Sequence, residues 1–266
     1  MVGAERTSPG RAWTIVGEWE LRDLWLGGRG LLLSLAFSIL LSLLTYLTAT
    51  NTALNFLEQR ESVNLTLQVA IAVGALLALL AAADTVSGER ERGTLETLLL
   101  APVPRLQLML GKLGGALSLW LAAFAITIPY VWFLGRGVGI VGDALATGAL
   151  VGTLLAFFLA SLGALISVFA GSNRVSLSLS LFLLLALFAP TQFPTSAQQG
   201  WFGEFVLRAN PLTAGEHYVG KVVVDGHAWS QDASWLTAPI IAAALFPLLA
   251  AVAGARFIRL NRGSSR

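Results

Sequence analysis

Long uncharged apolar runs alternate with short polar connections along the whole chain. Six such runs stand out, at about 31–50, 65–83, 113–134, 144–169, 175–189 and 236–257. Each is close to the ~20 predominantly apolar residues that an α-helix needs to cross a bilayer. The run at 144–169 is long enough to require tilt. Its Gly148 and Gly152 have the small-xxx-small spacing that lets a second helix approach closely. Ser176, Ser178 and Ser180 alternate with leucines, which on a short stretch also fits a strand. The unbroken apolar extension to Ala189 favours a helix, with Ser176 and Ser180 on one face. The pattern predicts an all-α polytopic membrane protein of six transmembrane helices.

The connections carry patterns of their own. Over 11–26, Trp13, Val16, Gly17, Glu20, Leu21 and Leu24 share one broad helical face, which predicts an amphipathic helix lying along the membrane surface. The same stretch also reads as a plain lead-in to the first span. The connection at 191–235 is long, and its first half is too apolar for a free loop. A short interfacial helix is expected over 199–207, followed by a turn at Asn210-Pro211.

The segment 84–112, DTVSGERERGTLETLLLAPVPRLQLMLGK, holds a dense cluster of charge between two apolar runs. Glu89, Arg90, Glu91, Arg92 and Glu96 cluster there, in a chain only 12% charged. Leu95, Leu98 and Leu99 fall at i, i+3, i+4, one face of a helix. Gly93 allows a turn before it and Thr94 is placed to cap it. Glu91 and Glu96 lie near that N-terminus, where the helix dipole favours negative charge. A solvated loop that only fixes topology fits the same residues.

Composition narrows the class. With 56% hydrophobic residues, the chain has about half the charge of an ordinary soluble protein. Cysteine is absent, which excludes disulfides and thiolate metal sites. The basic residues are dispersed at span ends rather than gathered in a patch, so nucleic acid is not an expected partner. With both termini on the cytoplasmic side, thirteen of the 17 Lys and Arg fall inside and four (Arg60, Arg136, Arg208 and Lys221) fall outside. That asymmetry satisfies the positive-inside rule. The first thirty residues lack the short apolar core of a cleavable signal, so the first span is expected to serve as insertion signal and remain.

Several chemistries are missing from the sequence. Apart from Arg256 at the very end of the last, no charge lies within the six runs, which disfavours a proton relay. Gly137, Gly139 and Gly142 spell GxGxxG in a turn between spans with no preceding strand, so a dinucleotide site is not expected. Gly111-Lys112 is followed by Leu113 rather than Ser or Thr, and no Walker A loop results. No HExxH or GxSxG occurs. His217 and His227 share one loop and read as surface histidines.

Segment 84–112 resembles the signature of the ABC type-2 transporter permeases. These carry a charged run, then Gly-Thr-Leu-Glu, Leu-Leu, a proline turn with an arginine, and Gly-Lys entering the third span. Here these are Glu89 to Arg92, Gly93-Thr94-Leu95-Glu96, Leu98-Leu99, Pro102, Arg105 and Gly111-Lys112. The resemblance implies a permease in a prokaryotic cytoplasmic membrane that works as a homodimer or heterodimer with two cytoplasmic ABC ATPase subunits. ATP and Mg would sit on the ATPase and no cofactor on this chain. It implies an ATPase-coupling interface made by Glu18, Glu20, Glu89, Arg90, Glu91, Arg92, Gly93, Thr94, Leu95, Glu96, Leu98 and Leu99. It also implies short re-entrant helices before the last span, a lipophilic or amphipathic exported substrate, and a dimer contact through the first and fifth spans that includes Ser176 and Ser180. The contrasting reading is a membrane anchor or sensor that recruits a soluble partner through the same loop.

Overall fold

A computed structural model describes residues 12–50, 56–100, 103–192 and 200–257. Eleven α-helices follow in order among these residues: α1 Ala12–Leu26, α2 Arg29–Ala49, α3 Phe56–Asp84, α4 Ser87–Arg92, α5 Leu95–Leu100, α6 Arg105–Gly135, α7 Val141–Phe169, α8 Asn173–Phe188, α9 Trp201–Ala209, α10 Pro211–Val223 and α11 Thr237–Phe257. Short 3-10 turns at Ala189–Gln192 and Ala233–Leu236 complete the path. Six of these segments are long and apolar enough to cross a membrane. They run up and down in sequence, so α1, α4 and α5 share one end of the bundle and α9 and α10 share the other.

Helix α7 is the axis of the bundle. Its 29 residues rise about 43 Å, against a hydrocarbon core of about 30 Å. It packs along α3, α6, α10 and α11. Glycines set the spacing. A Cβ at Gly163 would run into the Leu79 backbone carbonyl of α3, and one at Gly148 would meet the Leu67 side chain. Gly152 and Gly74 together make the slot that holds the ring of Trp120. That indole is 2% exposed; its Nε1–H donates to Thr153 Oγ1 at 3.2 Å. A buried tryptophan is thereby packed and satisfied, from residues on three helices.

Helix α2 lies at the margin. One stripe, Phe37 and Leu41, packs with Ala70 of α3 and Ala123 of α6. Ser38 and Ser42 hydrogen-bond the Tyr130 hydroxyl of α6 at 3.1 and 2.7 Å. Its opposite face, including Leu31, Leu35, Ile39 and Leu43, is exposed, as lipid contact demands.

The helices differ from the sequence expectation mainly at their ends. Helix α3 starts at Phe56, so Glu58, Arg60 and Glu61 lie on its first turns rather than in a loop extending to Asn64. Helix α6 starts at Arg105, which places Lys112 two turns inside it. The connection before the last span holds two helices. Asn210 separates them, accepting from Leu212 N at 3.0 Å, and Pro211 sits where a helix start needs no N–H. Residues 193–199, where that expected helix begins, lie outside the described set.

The close α3–α7 approach gives a stability prediction. Gly163→Ala should destabilise the protein by about 1–3 kcal/mol, because backbone stands in the way of the new methyl. Gly114→Ala, where an added Cβ meets nothing within 4 Å, should be neutral or stabilising. Thermal unfolding of the two variants in the same lipid nanodiscs makes the comparison.

Candidate functional site at the charged end

The charged residues of 84–112 are mostly bound within the chain. Lys112 is 2% exposed, and its ammonium contacts Glu20 Oε1 of α1 at 2.6 Å and Glu89 Oε1 of α4 at 2.5 Å. No acid lies within one helical turn of Lys112 on α6, so its partners must come from other elements. Val16 and Gly17 of α1 supply the close approach, packing on Gly111 of α6, while Trp25 Nε1 donates to Ser118 Oγ at 3.1 Å. An ammonium in such a place is tolerable only when paired and hydrogen-bonded.

Helix α4 is tied on its other sides too. Arg90 donates to the carbonyls of Ala170 and, at 3.2 Å, Val168, at the C-terminal end of α7, where the helix dipole favours a cation. Glu91 accepts from Asn173 N at 3.0 Å, at the N-terminus of α8, where the dipole favours an anion. Ser167 Oγ accepts from Val86 N and Ser87 N at 3.0 and 2.9 Å. Arg92 and Arg29 approach Asp84 Oδ2 at 3.4 and 3.7 Å. Helix α4 is thus a clasp between α1, α6, α7 and α8.

Gly93 ends α4 in the left-handed conformation, φ 72°, which glycine adopts without penalty. Its N–H bonds Arg90 O, and Thr94 N bonds Glu89 O at 3.0 Å, the pattern that closes a helix end. The Thr94 hydroxyl donates to the same Glu89 carbonyl at 3.3 Å. The charged run and the leucine run therefore form two short helices broken at Gly93-Thr94. Leu95 is buried in the core of the chain. Thr97 and Leu100 are exposed, Leu100 by 76%.

This arrangement revises several expectations. Glu20 and Glu89 are internal partners of Lys112. Leu95 is a core residue. Glu18 pairs with Arg22 on the exposed side of α1 at 2.6 Å. Glu91, Arg92, Gly93 and Thr94 remain at the surface beside α5, and the α5 backbone carries Glu96, Leu98 and Leu99. Ser176 and Ser180 are fully buried against the chain's own interior, and Ser176 Oγ donates to Ala83 O of α3 at 2.7 Å. The face α8 leaves uncovered is instead Val175, Leu179, Phe182 and Leu185.

At the opposite end, His217 lies against the Trp235 ring at 4.0 Å, and burial lowers its pKa. His227 Nδ1 is 2.6 Å from Asp232 Oδ2. Among the described residues no cluster could hold a metal ion.

Two carboxylate oxygens at the charged end, Asp84 Oδ1 and Glu89 Oε2, are buried without a partner. Both residues line a cavity of about 470 Å³ between α1, α3, α4 and α6. Removing the cation there should be severe. Lys112→Met leaves two carboxylates facing each other and should cost about 3–5 kcal/mol. The same change made together with Glu20→Gln and Glu89→Gln should recover most of that loss. Chemical denaturation of the purified variants reads both numbers.

The comparisons with known proteins agree with this architecture. A family model described as ABC-2 family transporter protein matches residues 16–199, which run from within α1 to beyond α8 and take in the whole charged clasp. No curated protein matches the chain. With more than half its length matched and six apolar helices to cross the bilayer, the chain belongs to the ABC-2 transporter family of integral membrane proteins.

Proposed function

We propose that the chain is the permease half of an ATP-driven exporter whose separate ATPase docks on α5 and the exposed edge of α4. The observation that carries this is the division of labour within 84–100. Glu89, Arg90 and Glu91 are spent on holding α4 to four other helices, while α5 beyond it displays a leucine, Leu100, to solvent. A rigidly held base under an exposed apolar tip is a form suited to receiving force from a partner. Among the described residues the buried charged groups are Glu89 and Lys112, and both are engaged in the clasp. A lipophilic or amphipathic cargo is in keeping with the apolar spans, and a second permease chain would meet this one through the uncovered faces of α2 and α8, at Leu179 and Phe182 rather than at the buried serines.

The charged end is placed in the cytoplasm. Arg22, Arg29, Arg90, Arg92, Arg105, Lys112, Arg174 and Arg256 lie at that end, and Arg60, Arg136, Arg208 and Lys221 at the other, in the sense the positive-inside rule requires. The orientation is tested by single cysteines in this cysteine-free chain. A cysteine at Gly93 should resist an impermeant maleimide in intact cells and react after lysis, and one at Gly137 should react in both.

The coupling role is tested on a complex reconstituted with a candidate ABC ATPase subunit. Leu100→Asp and Leu98→Asp should leave insertion and α-helical content intact yet lower ATP-driven transport at least tenfold, since one well-placed interface side chain is worth roughly 2 kcal/mol or more. Arg256→Ala, at the exposed end of α11, should change little. Parental transport rates in the loop variants would leave the segment as a topology determinant and the chain as an anchor.

A further inference from the structure

The end of the bundle away from the clasp holds a cavity of about 350 Å³ between α3 and α10, closed on one side by Trp235. That is the size of a small ligand or a lipid head group. Glu216 of α10 lines it, with Gln68 of α3, Thr213 and His217. Thr213, Glu216 and Gly220 fall at i, i+3, i+7, so they form the stripe of α10 turned to α3. A Cβ added at Gly220 would come into ordinary contact, at 3.9 Å, with the Asn64 side chain on α3. The next stripe round, Leu212, Gly215, Val219 and Val222, is buried, with Gly215 against Val151 and Leu155 of α7.

Among the described residues the charged groups around the cavity are engaged, Arg60 of α3 donating to the Val224 carbonyl at 3.0 Å, with a single exception. Lys221 pairs with Asp225 at 2.9 Å. Arg208 pairs with Glu204 at 3.0 Å and covers the Trp235 ring at 4.7 Å. Asp232 meets His227 at 2.6 Å. His217 is held toward its neutral form by burial. The Glu216 carboxyl makes no hydrogen bond or ion pair among the described residues. A largely buried acid without a partner, at the wall of an open cavity, is an incomplete site.

We infer that this cavity binds a primary ammonium group through Glu216. An ammonium brings three donors to an acceptor-only carboxylate and cancels the one uncompensated charge. An anion would meet that carboxylate and find each neighbouring cation already engaged. The inference does not depend on what docks at the clasp end.

Burial alone raises the Glu216 pKa to about 7. None of Arg208, Lys221, Asp225, Asp232 or His217 contributes to that shift. The sign follows. Below pH 7 the carboxyl holds its proton and an ammonium must displace it; above pH 7 the carboxylate is already ionised and receives the cation directly. If only the ionised form binds, the apparent Kd should weaken roughly a hundredfold between pH 8 and pH 5. Each binding event should release close to one proton to buffer at pH 5 and almost none at pH 9.

The test is calorimetric titration of the full chain in nanodiscs with ethanolamine, in buffers of different ionisation enthalpy. One arm uses phosphatidylglycerol alone and the other adds phosphatidylethanolamine. Saturable, pH-dependent binding with proton release in the first arm supports the site. Weaker apparent binding in the second arm identifies a lipid amine as a competing source of the same group, and unchanged binding identifies a soluble amine. Glu216→Gln should abolish the binding, and Glu61→Gln, at an exposed position of α3, should keep it. No saturation in either arm, a pH-independent Kd, or undiminished binding in Glu216→Gln would overturn the inference. Should the glutamine variant fail to fold, the pH slope and proton release of the parent decide the matter.

Discussion

The charged end of this protein depends on one buried ammonium. Lys112 enters the bundle on α6 and is neutralised by Glu20 from α1 and Glu89 from α4. Separating such a cation from its partners leaves charge in a place water does not reach, which is costly from either side. The consequence is mechanical. Helices α1 and α4 cannot leave α6 independently, and α4 is further fixed to α7 by Arg90 and to α8 by Glu91. A displacement applied at α5 is therefore passed to the spans instead of being absorbed in a soft loop.

The bundle that receives such a displacement is built on close backbone approach. In lipid there is little hydrophobic drive between helices, so shape and small residues decide which spans pack. Gly163 against the Leu79 carbonyl and the glycine slot for Trp120 join α3, α6 and α7 into one unit. Helices α2 and α8 are held by narrower seams, a stripe and two serines on the one and buried Ser176 and Ser180 on the other. Their outward faces are apolar and uncovered, open to lipid or to a second chain.

Much of this was legible in the sequence, for a physical reason. The bilayer demands a long apolar run for each span, and that demand leaves a mark no soluble fold requires. The ends of the spans were less legible. Glu58, Arg60 and Glu61 continue α3 as well as any loop would, because helix propensity tolerates charge once the chain has left the hydrocarbon. Periodicity showed that Ser176 and Ser180 share a face but not which neighbour that face meets. The triad is the clearest omission. Lys112 lies 23 residues from Glu89 and 92 from Glu20, so no local pattern joins them. The signal available was a lysine on the threshold of an apolar run with no acid one turn away. The structure divides the segment into α4, whose charges fasten it to its neighbours, and α5, which exposes Thr97 and Leu100.

Hydrogen–deuterium exchange of the chain, alone and with the proposed ATPase partner, tests this division most directly. The account predicts that α4 amides exchange slowly in both states, while α5 amides at 95–100 exchange quickly alone and become protected in the complex. Helices α9 and α10 should not respond. Fast exchange throughout 87–100 in both states, or protection appearing at 201–223 instead, would contradict it.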